Sequence, residues 1–77
     1  MGRLSNISLS VFRTFLLSKD LSLLRVTGGH EVWGKPGLLR PIIIQTHIDP
    51  IPEFIILNCL RTMGVTRKEF ENFLNQK

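Results

Sequence analysis

The sequence predicts a small α+β domain, in which one helix, three strands, a second helix and a short third helix follow one another. Residues 8–19 carry apolar side chains at helical spacing, and Ser8 stands before them as the N-cap. Residues 21–46 hold short apolar segments separated by glycine and proline, which is typical of strands. Beyond residue 52 the apolar residues return to helical spacing. We expect the Phe and Leu stripe of the first helix to pack on the sheet.

The three predicted strands cover residues 21–26, 30–33 and 39–46. Thr27-Gly28-Gly29 joins the first two, and because glycine adopts positive φ at little cost we expect a tight hairpin. Glycine and proline at residues 34–37 predict the next turn. Pro41 lacks an N–H group, so the start of the third strand should lie at an edge or outside the ladder.

Two further helices are predicted after the loop at residues 47–52. The second helix starts near Pro52 and Glu53, which suit its first turn, and Gly64 is its expected C-cap. Thr66 and Glu69 form a capping box for the last helix. The apolar stripes of the two helices consist of Ile55, Ile56, Cys59, Leu60 and Met63, and of Phe70, Phe73 and Leu74.

Length and composition indicate a single domain over residues 1–77. Ten Lys and Arg against six Asp and Glu give a net charge of +4, which favours a polyanionic partner. The single cysteine excludes an internal disulfide framework. No stretch approaches the roughly 18 apolar residues that cross a bilayer, and no secretory signal is visible. We therefore expect a cytoplasmic protein without a membrane partner.

His30 is the first candidate for chemistry, because it directly follows two glycines that leave room for a phosphate. The ordinary pKa of histidine, about 6.5, suits proton transfer near neutral pH. His47, at the end of the third predicted strand, is a candidate second proton-transfer group or phosphate contact. The alternative for both is structural: His30 begins a strand and bonds locally, and His47 is a surface residue at a strand end.

Three cations, Arg25, Lys35 and Arg40, flank the predicted hairpin and could together hold an RNA backbone. The remaining cations are expected to be solvated helix faces that at most extend this footprint: Arg13, Lys19, Arg61, Arg67 and Lys68.

Other kinds of site find little support in the sequence. Two histidines and one cysteine, without paired spacing, predict neither a metal site nor another cofactor. Cys59 lies on the apolar stripe of the second helix and is expected to be a small buried hydrophobe. Trp33 could stack on a base, but in so small a domain it is expected in the core or on a partner surface. The glycine pair lacks the spacing of a phosphate loop.

The ten residues from Leu24 to Trp33 resemble the motif of the HicA family, whose members show a hydrophobic-Arg pair and then Gly-Ser-His or a close variant. Gly28, Gly29 and His30 take the last three positions, with glycine in place of the hydroxyl residue. The resemblance extends over roughly residues 8–74. It continues at His47, Pro52, Leu60, Gly64 and Val65, and departs at Phe54, Ile55 and Leu57, where the family often has Gly, Thr and a cation.

The resemblance implies a fold like the double-stranded-RNA-binding domain, with three antiparallel strands and the helices on one face. It implies a metal-independent mRNA interferase, the toxin of a toxin–antitoxin pair, with His30 as the catalytic residue. The expected RNA contacts are Gly28, Gly29, Arg25, Lys35, Arg40 and His47. The expected partners are mRNA and a HicB-like antitoxin that binds the toxin and covers its site.

Two other functions stay open at this point. One is a non-catalytic RNA-binding module on the same fold, which would bind RNA in a salt-sensitive manner without cleaving it. The other is a protein-interaction domain that uses Trp33, Phe54 and Leu57, and it predicts no more RNA affinity than the charge explains.

Overall fold

Three helices and a three-stranded antiparallel sheet make up the computed structural model, which describes residues 4–76. The sheet order is β1-β2-β3, so β2 is hydrogen-bonded on both sides. This confirms the predicted α+β class and element order. No helix among the described residues is long and apolar enough to span a membrane. In chain order the elements are α1 (Leu9–Ser18), β1 (Ser22–Thr27), β2 (His30–Gly34), β3 (Ile42–Gln45), α2 (Glu53–Met63) and α3 (Arg67–Asn75).

The predicted helix ends agree with the structure within a residue or two. The Ser8 side chain accepts a hydrogen bond from the Val11 amide and so caps α1. Gly64 ends α2 in the left-handed conformation, with φ of 73°. The capping box at the start of α3 is complete, because Thr66 and Glu69 each accept from the other's backbone amide.

The third strand is shorter than predicted. It begins at Ile42 rather than at residue 39, and the Leu39 side chain is 98% exposed. Pro41 lies just outside the strand, as its missing N–H group predicts. The apolar side chain of Leu39 therefore belongs to the turn after β2, where hydrophobicity alone had suggested a strand.

The first strand begins at Ser22, one residue later than predicted, and all six of its residues are exposed. A β-bulge at Leu24 interrupts its register with β2, because Leu23 lies opposite Trp33 and Arg25 lies opposite Val32. The apolar side chains of β1 thus remain at the surface, although the sequence pattern suits a half-buried strand.

One hydrophobic core joins all three helices to the sheet. The Phe12 and Phe15 rings of α1 pack against Phe70 of α3, with ring centroids 5.7 and 4.7 Å apart. The helices therefore lie on the side of the sheet that carries Trp33, Ile42 and Ile44. The buried members of this core are Leu4, Ile7, Leu9, Phe12, Phe15, Leu16, Leu21, Trp33, Ile42, Ile44, Ile51, Ile56, Cys59, Leu60 and Phe70.

The other face of the sheet has none of the described helices against it, and we call it the open face. Side chains alternate along a strand, and residues directly opposite each other share a face. Trp33 and Ile42 are opposite each other in the core, so His30 and Val32 of β2 project from the open face. The same rule assigns their strand partners to the open face, namely Arg25, Thr27, Ile43 and Gln45.

A hydrogen-bonded ion pair ties the centre of the sheet to α1. The guanidinium of Arg13 donates from Nε and Nη2 to the two carboxylate oxygens of Glu31, at 3.0 and 2.6 Å. Trp33 Nε1 donates to Oε1 of the same carboxylate at 3.0 Å. The hydrogen bond from Arg13 holds the pKa of Glu31 below its usual range, and that from Trp33 acts in the same direction. The prediction that Arg13 is a solvated helix residue is wrong, because its partner lies 18 residues away on β2.

Removal of the Arg13 side chain should destabilise the fold. Glu31 is only 8% exposed, so Arg13→Ala leaves a largely buried carboxylate with Trp33 as its remaining partner. We expect a loss of about 2 kcal/mol in the free energy of unfolding at pH 7. This is below the roughly 3–5 kcal/mol typical of a fully buried pair, because the Arg13 side chain is 36% exposed. Urea denaturation measures the loss.

Arg67→Ala is the matched control, since it breaks only exposed ion pairs and should cost less than about 1 kcal/mol. The lowered pKa of Glu31 means that its contribution is present above the unfolded-state pKa, about 4.3 for Glu. It is lost as the pH falls through the folded-state pKa. The Arg13→Ala variant should therefore lose less stability than the wild type on acidification below pH 4. Equal costs for the two variants at pH 7 would contradict a special role for Arg13.

Candidate functional site

The hairpin turn between β1 and β2 places His30 at the first position of the central strand. Gly28 and Gly29 have φ of 53° and 84°, both in the left-handed region that a two-residue turn of type I′ needs. Thr27 and His30 close the turn as a strand pair. The tight hairpin predicted from the two glycines is therefore confirmed, and it fixes the backbone of His30.

The end of β3 is held against this turn by the carbonyl of Gly29. That oxygen accepts both the Thr46 amide, at 2.8 Å, and the Thr46 hydroxyl, at 3.0 Å. A Cβ on Gly29 would lie 3.9 Å from Nδ1 of His47, so the His47 imidazole stands beside the turn. Both histidines are thus brought to the same end of the sheet, each next to Gly29. Thr46 was not singled out from the sequence, because its role depends on the β2–β3 register.

The surroundings of the two histidines are polar and accessible. His30 lies between Thr27 of β1 and Gln45 of β3 on the open face and is half-buried, while His47 is exposed. Among residues 4–76, no ion pair or hydrogen bond engages either imidazole. Both imidazoles therefore lack a partner among the described residues.

The three cations predicted around the hairpin come together in one shallow hollow of about 210 Å³. Arg25 lies opposite Val32, two residues along β2 from His30, while Lys35 and Arg40 lie beyond the far end of β2 and before β3. The cluster therefore starts about 7 Å from His30 along the strand and extends away from it. Lys35 also donates from Nζ to the Lys19 carbonyl at 2.9 Å, which ties it to the end of α1.

Charge is segregated between the two sides of the sheet. Lys19 and Arg67 form ion pairs with acidic residues of α2 and α3 at the helix side, as Arg13 does with Glu31. In the described part of the chain, the strand residues assigned to the open face include no carboxylate. The acidic residues all lie elsewhere: Asp20 after α1, Glu31 on the helix side of β2, Asp49 in the loop before α2, Glu53 in α2, and Glu69 and Glu71 in α3.

Other candidate groups are accounted for by the core. Burial raises the pKa of the Cys59 thiol to about 11, so this cysteine is a poor nucleophile near neutral pH. Trp33 is 4% exposed and its indole N–H is bonded to Glu31, so it is a core residue and neither stacks on a base nor forms a partner surface. Within residues 4–76, no group of three or more His, Cys, Asp and Glu side chains is arranged to hold a metal ion.

Phe54 is the exposed member of the predicted protein-interaction set. Its side chain is 65% exposed and lines an apolar groove with Ile43 and Ile48, between β3 and the start of α2. Leu57 is half-buried against the core instead. The surface proposed from Trp33, Phe54 and Leu57 is therefore not contiguous, and only Phe54 is fully available.

No protein-family model matches the chain, and no curated protein or solved structure is similar to it at a significant level.

The contact between Gly29 and His47 can be tested with two glycine variants. Gly29→Ala should cost about 1 kcal/mol of stability, because a side chain is strained at φ of 84°. Gly37→Ala is the matched control: its φ is 89°, nothing lies within 4 Å of the added Cβ, and the same cost is expected. Only Gly29→Ala should shift the imidazole resonances of His47 in NMR spectra. Equal shifts in both variants, or none in either, would contradict the contact.

Proposed function

We propose that this chain is a metal-independent endoribonuclease toxin of the HicA type, with a fold like that of the double-stranded-RNA-binding domain. One observation carries the proposal: two histidines without a partner among the described residues stand at a glycine turn, at the edge of a sheet face that holds arginines and no described carboxylate. The order helix, three antiparallel strands and helix, with the helices on one face, supports the fold assignment.

Cleavage of RNA needs two proton transfers, and two imidazoles suit both. A neutral imidazole takes the proton of the 2′-hydroxyl while that oxygen attacks the adjacent phosphorus. A protonated imidazole gives its proton to the 5′ oxygen as the P–O5′ bond breaks. The products are a 2′,3′-cyclic phosphate and a 5′-hydroxyl end, and neither step requires a metal. His30 is the catalytic residue in this proposal, and His47 is the second proton-transfer group.

The glycine turn supports this chemistry by leaving backbone uncovered beside His30. A Cβ at Gly28 would have no neighbour within 4 Å, so the turn is open to solvent on that side. A phosphate can therefore approach the backbone amides of the turn more closely than side chains would permit. DNA lacks the 2′-hydroxyl that must attack, so the substrate is RNA.

The proposal also names a partner and a setting. A toxin that cleaves mRNA in the cytoplasm needs an inhibitor, and the family resemblance supplies a HicB-like antitoxin. An antitoxin that covers the open face would exclude RNA from both histidines. The groove at Phe54 lies beside that face, since Ile43 belongs to both.

The activity is tested by cleavage of a labelled RNA in EDTA. The wild type should cleave, and His30→Ala should lower kcat by about 10³-fold, within the 10²–10⁴-fold range of a general acid or base. His47→Ala should lower kcat by about 10²-fold. The kcat/KM of the wild type should follow a bell-shaped pH profile, and each single variant should lose one limb of it.

Lys68→Ala, on α3 away from the sheet, is the control and should cleave like the wild type. Circular dichroism and urea midpoints verify that each variant is folded. Wild-type cleavage rates in His30→Ala would exclude His30 as the catalytic residue. A folded wild type that binds RNA and leaves it intact would be a non-catalytic RNA-binding module.

A further inference from the structure

The hollow on the open face has a construction that the sequence did not predict. It is lined by Leu24, Arg25 and Lys35, by Val32 and Gly34 of β2, and by Leu38, Arg40 and Pro41 of the following turn. Val32 is buried there although it does not belong to the core under the helices. The hollow is therefore a separate small structure with apolar walls and cations at its rim.

The β-bulge in β1 is what brings both Leu24 and Arg25 to this hollow. Adjacent residues of a regular strand point to opposite faces, but a bulge re-aims one of them. A Cβ on Gly34 would lie 2.9 Å from Cδ1 of Leu24, so Leu24 fills the space that a side chain at residue 34 would need. Arg25 lies opposite Val32 and shares its face. The bulge thus lets two consecutive residues line the hollow: Leu24 forms part of its apolar wall, and Arg25 is one of its cations.

Within the described residues the two guanidinium groups at the hollow have no partner, whereas every other described cation except Lys68 is held by one. Arg13, Lys19 and Arg67 are in ion pairs, and Lys35 is bonded to a helix carbonyl. Within residues 4–76, neither Arg25 nor Arg40 makes an ion pair or a side-chain hydrogen bond. The described residues that line the hollow include no acidic one. Two unpaired arginines without a carboxylate between them suit a phosphate, which a guanidinium binds through paired N–H groups.

We infer that Arg25 and Arg40 form a subsite for a second phosphodiester of the RNA, distinct from the one that is cleaved at His30. This inference rests on the proposed ribonuclease function. His30, Val32 and Gly34 project from the same face of β2, so the hollow lies about 7–13 Å from His30 along the strand. An extended RNA strand places a neighbouring phosphate at this range, about one or two nucleotides from the cleavage position. The substrate is therefore a single strand longer than a dinucleotide.

The test compares two substrates with two double variants of the full chain. One substrate is a dinucleotide with only the cleavable phosphodiester, and the other is a heptanucleotide with the same step at its centre. The Arg25→Ala/Arg40→Ala variant removes the subsite. The Arg61→Ala/Lys68→Ala variant removes equal charge from exposed positions on α2 and α3 and is the matched control. The kcat and KM of the wild type and of both variants are measured with each substrate at several NaCl concentrations.

The subsite variant should raise the KM of the heptanucleotide about tenfold or more and leave kcat within about twofold of the wild type. It should act on the dinucleotide like the wild type. The dependence of log KM on log salt for the heptanucleotide should weaken by about 0.7 for the lost phosphate contact. An equal rise in KM for both substrates, or an equal effect of the control variant, would overturn the inference.

Failure of the proposed function is distinguishable from failure of the subsite inference, because the wild type would then cleave neither substrate. In that event fluorescence anisotropy compares the binding of the heptanucleotide with that of the dinucleotide. Weaker binding of the heptanucleotide by the subsite variant alone supports a phosphate site on an RNA-binding module. Unchanged affinity overturns the subsite together with the nuclease.

Discussion

The ion pair between Arg13 and Glu31 is the constraint on which the arrangement of the sheet depends. Because strand side chains alternate, a carboxylate fixed toward α1 at residue 31 assigns residues 30 and 32 to the open face. A slip of one residue would carry His30 under the helix and expose Glu31 among the arginines. Such a pair adds little net stability compared with apolar residues, but its loss leaves a charge buried. Its main effect is therefore to select one register.

The same ion pair also affects which cations remain available to bind an anion. The carboxylates lie at the helix side or in loops, where Glu31 and Glu69 neutralise Arg13 and Lys19. Among the described residues, two arginines and two histidines on or beside the open face have no partner. A net charge of +4 spread evenly would attract polyanions weakly and without direction. Because the described acidic residues lie away from the open face, the modest excess of positive charge is concentrated there, and this face suits phosphates. The helices nevertheless carry more charged residues than the sheet.

Local features were predictable from the sequence, and features that depend on register were not. The caps at Ser8, Gly64 and Thr66 and the glycine turn before His30 involve residues within a few positions of each other. Helical spacing also identified the core faces of α1 and α2. Arg13 was mistaken for a solvated residue because nothing in helical periodicity reveals a partner on β2. The bulge at Leu24 and the hydrogen bonds from Thr46 to the Gly29 carbonyl were missed for the same reason, since each depends on which strand residues are paired.

A domain of this size has few places for a functional site. Its helices and one sheet face are used to enclose the only core of the described residues. The uncovered sheet face is what remains, and Leu24 and Ile43 are about half exposed there. Isolated apolar side chains at a surface are ordinary, but here they lie on or beside the face that holds the unpaired arginines. Under the proposed function that mixture suits both occupants, since arginines contact phosphates and the apolar side chains contact an inhibitor. Because both would use one face, inhibitor and RNA binding exclude each other without any change in the fold.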